Sequence, residues 1–558
     1  IVFGGENFAE TRLANNHQEG SDYRISSVTS IVAGANVYPR FNNSSVIQFQ
    51  PILSNSEGTD FQTISAFVND KWDFNRHFSF NLGLRWDKNN GKDADGNTVS
   101  DDSAFSPRLG VAYDPAGNGR GRVTASYARY VAKIADGNVG GGGQAAGNPA
   151  NITWNYRGPE INPASSCSAT NTAGCLDSAA ALAQLFAWFD SVGGVDNRSF
   201  LNSSSIPGFS ARFPDSLTSP SVDEITVGYG TQIGSNAYAK VDLIARDWND
   251  FYAQRINLTN PQAVDPFGNQ SDVSFIVNDD EGVERKYRGV QFQGQWRPGR
   301  FLLGATYTWS RLTGNDDGEG AATATSPNLP LDLWYPEYLN YEQRRPTGYL
   351  NQDVRHRARL WLAYELPTPI GNFDAAILQS LDTGTPYSAF QNIDASGRNT
   401  PFPGSPTNPG YTLSQLGTTH TYYFSKRGEF RTDDLYSTDV SLGYAIRVYK
   451  GLELFLRGSV TNVFNNDAVI FPDTTVITRR SGGAATNLVA FNPLTDTPVE
   501  CTQRDPANSS RCAVAGANWM RGPLFGQANG VGSYYTGTPP NAAGQVPRTY
   551  GFTAGFRF

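Results

Sequence analysis

The segment L-D-L-W-Y-P-E-Y-L-N-Y-E-Q-R-R-P at 331–346 holds the densest recognition chemistry in the chain. Trp334, Tyr335, Tyr338 and Tyr341 offer flat faces on which a ligand or a partner protein could stack, and Arg344 and Arg345 could pair with an anionic group. The same aromatics could instead brace neighbouring segments or mark a boundary between water and an apolar medium. Nothing joins them into a catalytic set. The four histidines, His17, His77, His356 and His420, lie in separate segments, and neither H-E-x-x-H nor G-x-S-x-G occurs. The glycine-rich stretch 137–147 lacks the Lys-Ser/Thr that follows a phosphate cradle. The acidic run D-K-N-N-G-K-D-A-D-G-N at 87–97, with Asp101 and Asp102, spaces oxygen ligands as a calcium loop does but lacks the closing Glu. A solvated, turn-rich loop is expected there. The chain therefore reads as a non-enzyme with no cofactor and no metal site.

Cysteine occurs four times, as Cys167 with Cys175 and Cys501 with Cys512, each pair close in sequence within a Gly/Ser/Asn/Pro-rich stretch. Neither pair has C-x-x-C spacing or histidine neighbours, so two local structural disulfides in an oxidising compartment are expected. The net charge of -8 and a pI near 5.2 leave no basic footprint for nucleic acid.

The elements that must position these groups are strands. Hydrophobic residues make up only 39% of the chain, with 57 Gly and 26 Tyr, and no apolar run approaches the roughly 18 residues of a membrane helix. A membrane strand needs only about 9–11 residues, half of them facing lipid, so a mean hydropathy of -0.42 is compatible with a transmembrane barrel. Phe78, Phe80, Leu82, Leu84 and Trp86 face one way, with Ser79, Asn81, Gly83, Arg85 and Asp87 opposite. The same alternation runs through Val290–Trp296, Phe301–Ser310, Val440–Ile446 and Leu452–Thr461, and more weakly near 60–73, 106–114, 121–131, 221–231, 237–256, 353–365 and 372–386. Ile244 and Trp361 fall on the polar face of their segments. The final strand places Tyr550, Phe552, Phe556 and Phe558 in one apolar row suited to membrane insertion. With an opening segment at 1–14, about 14 strands are expected.

Connections alternate in length. Short ones carry turn residues, such as R-P-G-R at 297–300 and V-Y-K-G at 448–451, while long ones cover about 15–60, 88–105, 132–220, 257–284, 312–352, 387–433 and 466–546. Short turns on one side and long loops on the other are the signature of an outer-membrane barrel. If the last strand ends in the periplasm, strand parity puts the long loops and all four cysteines outside, and the first segment runs outward. Within one long loop, Ser178 to Asp190 has helical composition, with Leu182, Leu185, Phe186 and Phe189 on one side. It could pack on neighbouring loop segments or form a lid over the lumen.

Several stretches resemble the barrel of TonB-dependent outer-membrane receptors, especially their Oar-like subgroup. They are I-S-A-F-V-N-D-K-W-D-F at 64–74, F-S-F-N-L-G-L-R-W-D at 78–87, F-S-P-R-L-G-V-A-Y-D-P at 105–115, S-V-D-E-I-T-V-G-Y at 221–229, G-L-E-L-F-L-R-G-S-V-T-N-V-F-N at 451–465, and the terminal strand. The resemblance implies an all-β, transmembrane antiparallel barrel of 22 strands around an N-terminal plug, whose TonB box is pulled by the inner-membrane motor. On that reading residues 1–558 are one barrel domain, the C-terminal portion, with the plug and about eight strands upstream of Ile1. The expected partners are outer-membrane lipid and lipopolysaccharide, the missing plug segment, TonB acting through it, and surface proteins. The expected function is energised transport of a ligand bound by the outer loops. The alternatives are a structural, adhesive or partner-binding surface barrel, and a passive 14-stranded channel.

Overall fold

The computed structural model describes residues 1–133, 146–209, 211–213, 216–278, 282–316, 333–334, 346–394, 419–449, 451–479, 486–491, 496–528 and 544–557. Long alternating segments become strands because period-2 sequences can bury one row and wet the other. In chain order the wall strands are β1 (Val2–Arg12), β2 (Thr59–Asp73), β3 (Phe78–Lys92), β4 (Thr98–Tyr113), β5 (Gly121–Val131), β6 (Ser221–Ile233) and β7 (Ala237–Asn249). They continue as β8 (Arg285–Trp296), β9 (Phe301–Gly314), β10 (His356–Thr368), β11 (Gly371–Asp382), β12 (Leu435–Tyr449), β13 (Leu452–Thr461) and β14 (Thr549–Arg557). Each pairs antiparallel with the next in unbroken sequence order. Among the described residues no pairing joins β1 to β14.

The short turns are built to reverse the chain within a few residues. Asn75 accepts from the backbone N–H of His77 at 2.8 Å and of Phe78 at 2.9 Å. Gly299 and Gly451 take φ of 66° and 99°, the left-handed region that a side chain disfavours. The expected segment at 237–256 divides in two, because Asp250 adopts φ 63° and breaks the ladder before a short strand at Tyr252–Ile256. The acidic run and the long connection expected at 88–105 also depart from expectation: Asp87 to Lys92 extend β3 and Thr98 already begins β4, leaving only residues 93–97 between them.

One face of the sheet keeps its apolar row uncovered. Leu442 is 62% exposed and Phe552 76%, so these rows have no protein partner and are left for lipid. On the other face, Ile244 stands opposite Gly289 and Trp361 opposite Gly304. The Trp361 ring occupies the space over Gly304, where a Cβ would lie 2.1 Å from it; over Gly289 it is the Tyr287 ring that leans in, its hydroxyl 2.7 Å from where a Cβ would stand.

The buried core lies in the long connections. Strands Leu201–Ser205, Asn151–Asn155, Val46–Phe49 and Tyr23–Ser26 form a four-stranded sheet, which α1 (Ser178–Ser191) covers. Asp177 caps the helix by accepting from the Ala180 N–H at 2.8 Å, and Ala181, Leu185 and Phe189 pack with buried Ile47, Ile152 and Trp154. Leu182 and Phe186 pack at the margin of that core. The helix is therefore an internal brace of a loop cap. A second cluster joins Leu488, Cys501, Cys512, Ala517 and Met520, with Ala389, Val476 and Trp519 forming a third beside it.

Candidate functional site

The inner face of the wall is polar because alternate residues of every strand turn toward it, and register decides which charges meet. Glu6 on β1 pairs with Arg85 on β3 at 3.0 Å and with Lys133 at 2.7 Å. Arg85 also reaches Asp87 at 2.8 Å and donates to the Ser65 hydroxyl at 2.7 Å. Farther round, Arg246 pairs with Glu224, Lys240 with Asp242 at 2.8 Å, and Arg457 with Asp374 at 3.7 Å. Arg359 grips both oxygens of Asp382 at 2.8 Å, and Arg357 adds a contact at 3.1 Å. The Asp374 carboxylate has room because Gly443 lies beside it: a Cβ there would come within 2.1 Å. Arg85, Arg246, Arg357, Arg359 and Arg457 therefore brace neighbouring strands, whereas Lys240 and Asp242 pair within β7.

At the long-connection end a buried carboxylate ties segments together. The Asp353 side chain is fully buried, accepts from the Leu312 N–H at 2.7 Å, and pairs with Arg355 at 3.2 Å and Arg431 at 2.5 Å. The Tyr349 ring lies 4.5 Å from the Arg355 guanidinium and 5.6 Å from that of Arg431. Against the rings of Phe424 and Phe491, burial pushes the Tyr422 hydroxyl's pKa up to about 12.

This node flanks the aromatic segment singled out in the sequence. Leu333–Trp334 is a two-residue strand parallel to Gln254–Arg255, and Gly348–Tyr349 pairs with Thr313–Gly314 at the top of β9. The segment is thus pinned at both ends on the long-connection side. Tyr335, Tyr338, Tyr341, Arg344 and Arg345 lie outside the described residues, so their mutual geometry is not part of the site described here.

Both expected disulfides are present, Cys167–Cys175 and Cys501–Cys512. Tyr550, Phe552 and Phe556 stand exposed on the apolar face of β14, while Phe558 lies outside the described residues. The oxygens of the acidic run diverge. Asp87 serves Ser65 and Arg85, Asp101 pairs with Lys88, and Asp102 accepts from the Ser219 N–H at 2.9 Å. Burial pushes the Asp93 carboxyl up, against the N–H donations of Asn97 and Asp95. Among the described residues no three His, Cys, Asp or Glu converge as a metal set.

Sequence reasoning missed the Asp353 node, because its partners Leu312 and Arg431 are remote in the chain. It also passed over the loop core, although the alternation of Ile152, Trp154 and Tyr156 signals a strand with one buried row.

Residues 88–493 match the family described as "Outer membrane beta barrel domain". The chain belongs to that family. Residues 3–166 match the description "TonB dependent receptor-like, beta-barrel". The chain is 24% identical over 474 residues to the TonB-dependent transporter Oar of Myxococcus xanthus, across 83% of this chain and 41% of that protein. The barrel chain thus spans less than half the length of this curated relative. Among solved structures, the FrpB iron transporter of Neisseria meningitidis is 14% identical with a TM-score of 0.40, covering 79% of this chain and 50% of that one. The ferric preacinetobactin receptor BauA of Acinetobacter baumannii is 11% identical with a TM-score of 0.38, covering 79% and 50%. The family is one of transporters and receptors of the bacterial outer membrane. Among the described residues no helix is long and apolar enough to cross a membrane; the barrel's crossing elements are strands.

Proposed function

We propose that this chain forms the wall and outer loops of a TonB-dependent receptor, which binds a ligand outside the cell and moves it inward with energy delivered by TonB. The observation that carries this reading is the coupling of an ordered 14-strand meander to long connections folded, among the described residues, into compact caps at one end. Caps with their own cores can hold a binding surface in place; simple turns cannot. Orientation follows from strand parity: long connections and both disulfides outside, short turns and the C-terminus in the periplasm. TonB and its inner-membrane motor would act through a plug segment lodged against the braced inner face.

The ligand-binding surface is assigned to Trp334, Tyr335, Tyr338, Tyr341, Arg344 and Arg345, whose segment is anchored beside Arg255 and β9. The edges of β1 and β14, unpaired among the described residues, favour the wall of a larger barrel over a closed 14-stranded channel, because unpaired backbone groups cost several kcal/mol each in lipid. The test compares cells expressing the full-length gene product with and without functional TonB, scoring growth on limiting nutrient pools and accumulation of extracellular solutes. Uptake that requires TonB and falls at least tenfold in a Trp334→Ala/Arg344→Ala/Arg345→Ala variant supports the reading. Equal uptake without TonB sinks it.

One observation favours a second role as a partner-binding or adhesive surface barrel: the loop caps carry the protein's buried cores and are closed by disulfides, as a surface platform requires. Binding of intact cells to surface proteins, independent of TonB, would distinguish it.

A further inference from the structure

At the opposite end from the caps, where β5, β6, β7 and β8 meet their short turns, the inner face opens into a cavity of about 580 Å³. Its lining includes Arg120, Arg122, Lys240 and Arg297, with Gln232 and Gln295 between them, and contains no Asp or Glu. This departs from the rest of the wall. The chain carries a net charge of -8, and elsewhere on the same face Arg85, Arg246, Arg359 and Arg457 each have a carboxylate within 4.0 Å. Of the four cations in the cavity, only Lys240 has such a partner among the described residues, Asp242 at 2.8 Å.

Register explains why the cations gather. Gly230 stands directly between Arg122 on β5 and Lys240 on β7, so no carboxylate separates the two cations there, and the space over the glycine is taken by the neutral Tyr238 ring, whose hydroxyl lies 3.0 Å from where a Cβ would stand. Like charges across neighbouring strands repel, and a low-dielectric wall strengthens that repulsion. An anion inserted among them would reverse the sign of the interaction. Guanidinium groups fork onto carboxylate or phosphate oxygens, and the glutamines add neutral donors around them. The volume lies within the roughly 300–1,000 Å³ of small-ligand sites.

We propose that this cavity binds a small polyanion, a ligand bearing two or more phosphate or carboxylate groups. The site lies at the far end of the lumen from the aromatic segment and depends neither on TonB coupling nor on the direction in which the chain crosses the membrane.

Equilibrium dialysis of the purified full chain in neutral detergent against radiolabelled inorganic pyrophosphate, and separately citrate, tests it. Saturable binding of at least one probe is expected, weakened tenfold or more by Arg122→Gln/Lys240→Gln and by raising salt to about 1 M, where screening acts within about 3 Å. Arg457→Gln, a cation already paired elsewhere on the wall, should leave binding unchanged. Arg297→Gln, placed in an exposed turn, provides the same test if the double variant loses its strand content by circular dichroism. The proposal is overturned if neither probe binds saturably, if Arg457→Gln weakens binding as much as the cavity variants, or if only an acidic polypeptide such as poly-glutamate binds.

Discussion

Asp353 shows how a single carboxylate can hold a loop system together. It has no exposed side-chain surface, and its two arginine partners come from its own segment and from beyond β11. Removing one member of such a group leaves buried charge uncompensated, at roughly 3–5 kcal/mol. Asp353→Ala should therefore lower the thermal midpoint of the loop region and speed proteolysis within 383–434, while the wall keeps its strand signal. An unchanged cleavage rate would refute the role assigned to the node. Asp114 works through the backbone instead. The N–H groups of Gly119, Gly117 and Ala116 converge on its carboxylate in the turn after β4 and hold its pKa below the ordinary range. A depressed folded-state value gives stability that is present above the unfolded carboxylate pKa and is lost as pH falls through the lower folded one. Acid titration of unfolding should show that loss, and Asp114→Asn should abolish its share while destabilising the turn at neutral pH.

At the scale of elements, the disulfide Cys167–Cys175 closes its loop just ahead of the Asp177 cap and helps deliver α1 to its sheet. For a loop of this length the chain-entropy estimate is roughly 2–3 kcal/mol. The Cys167→Ser/Cys175→Ser variant should expose the buried face of α1, read as faster hydrogen exchange at Leu185 and Phe189 and unaltered exchange in β9 and β10. Uniform loosening of both would mean that cap and wall unfold together. These elements also show what a sequence discloses. Alternation alone located all 14 wall strands, because one face must meet lipid, and Gly121–Val131 was placed to the residue. It merged β7 with the strand after it, since an Asp at positive φ gives no glycine signal. Charge pairing was illegible for a related reason: Glu6 and Arg85 are linked only once β1, β2 and β3 are in register. The aromatic segment near Trp334 was legible as chemistry, but its place depended on pairing with Gln254–Arg255, which no local pattern encodes.

For the whole molecule, the contrast between the two ends of the sheet carries the account: caps with buried cores at one, tight turns and a basic cavity at the other. The central claim is that the wall crosses the outer membrane with the caps outside. A direct test places single reporter thiols at Asn260→Cys, in a long connection, and Ser235→Cys, in the turn between β6 and β7, and treats intact cells with a membrane-impermeant maleimide. The native cysteines are paired and should not react. The residue-260 thiol should be labelled in intact cells, and the residue-235 thiol only after the outer membrane is permeabilised. The reverse pattern, or equal labelling of both sites in intact cells, would contradict the claim.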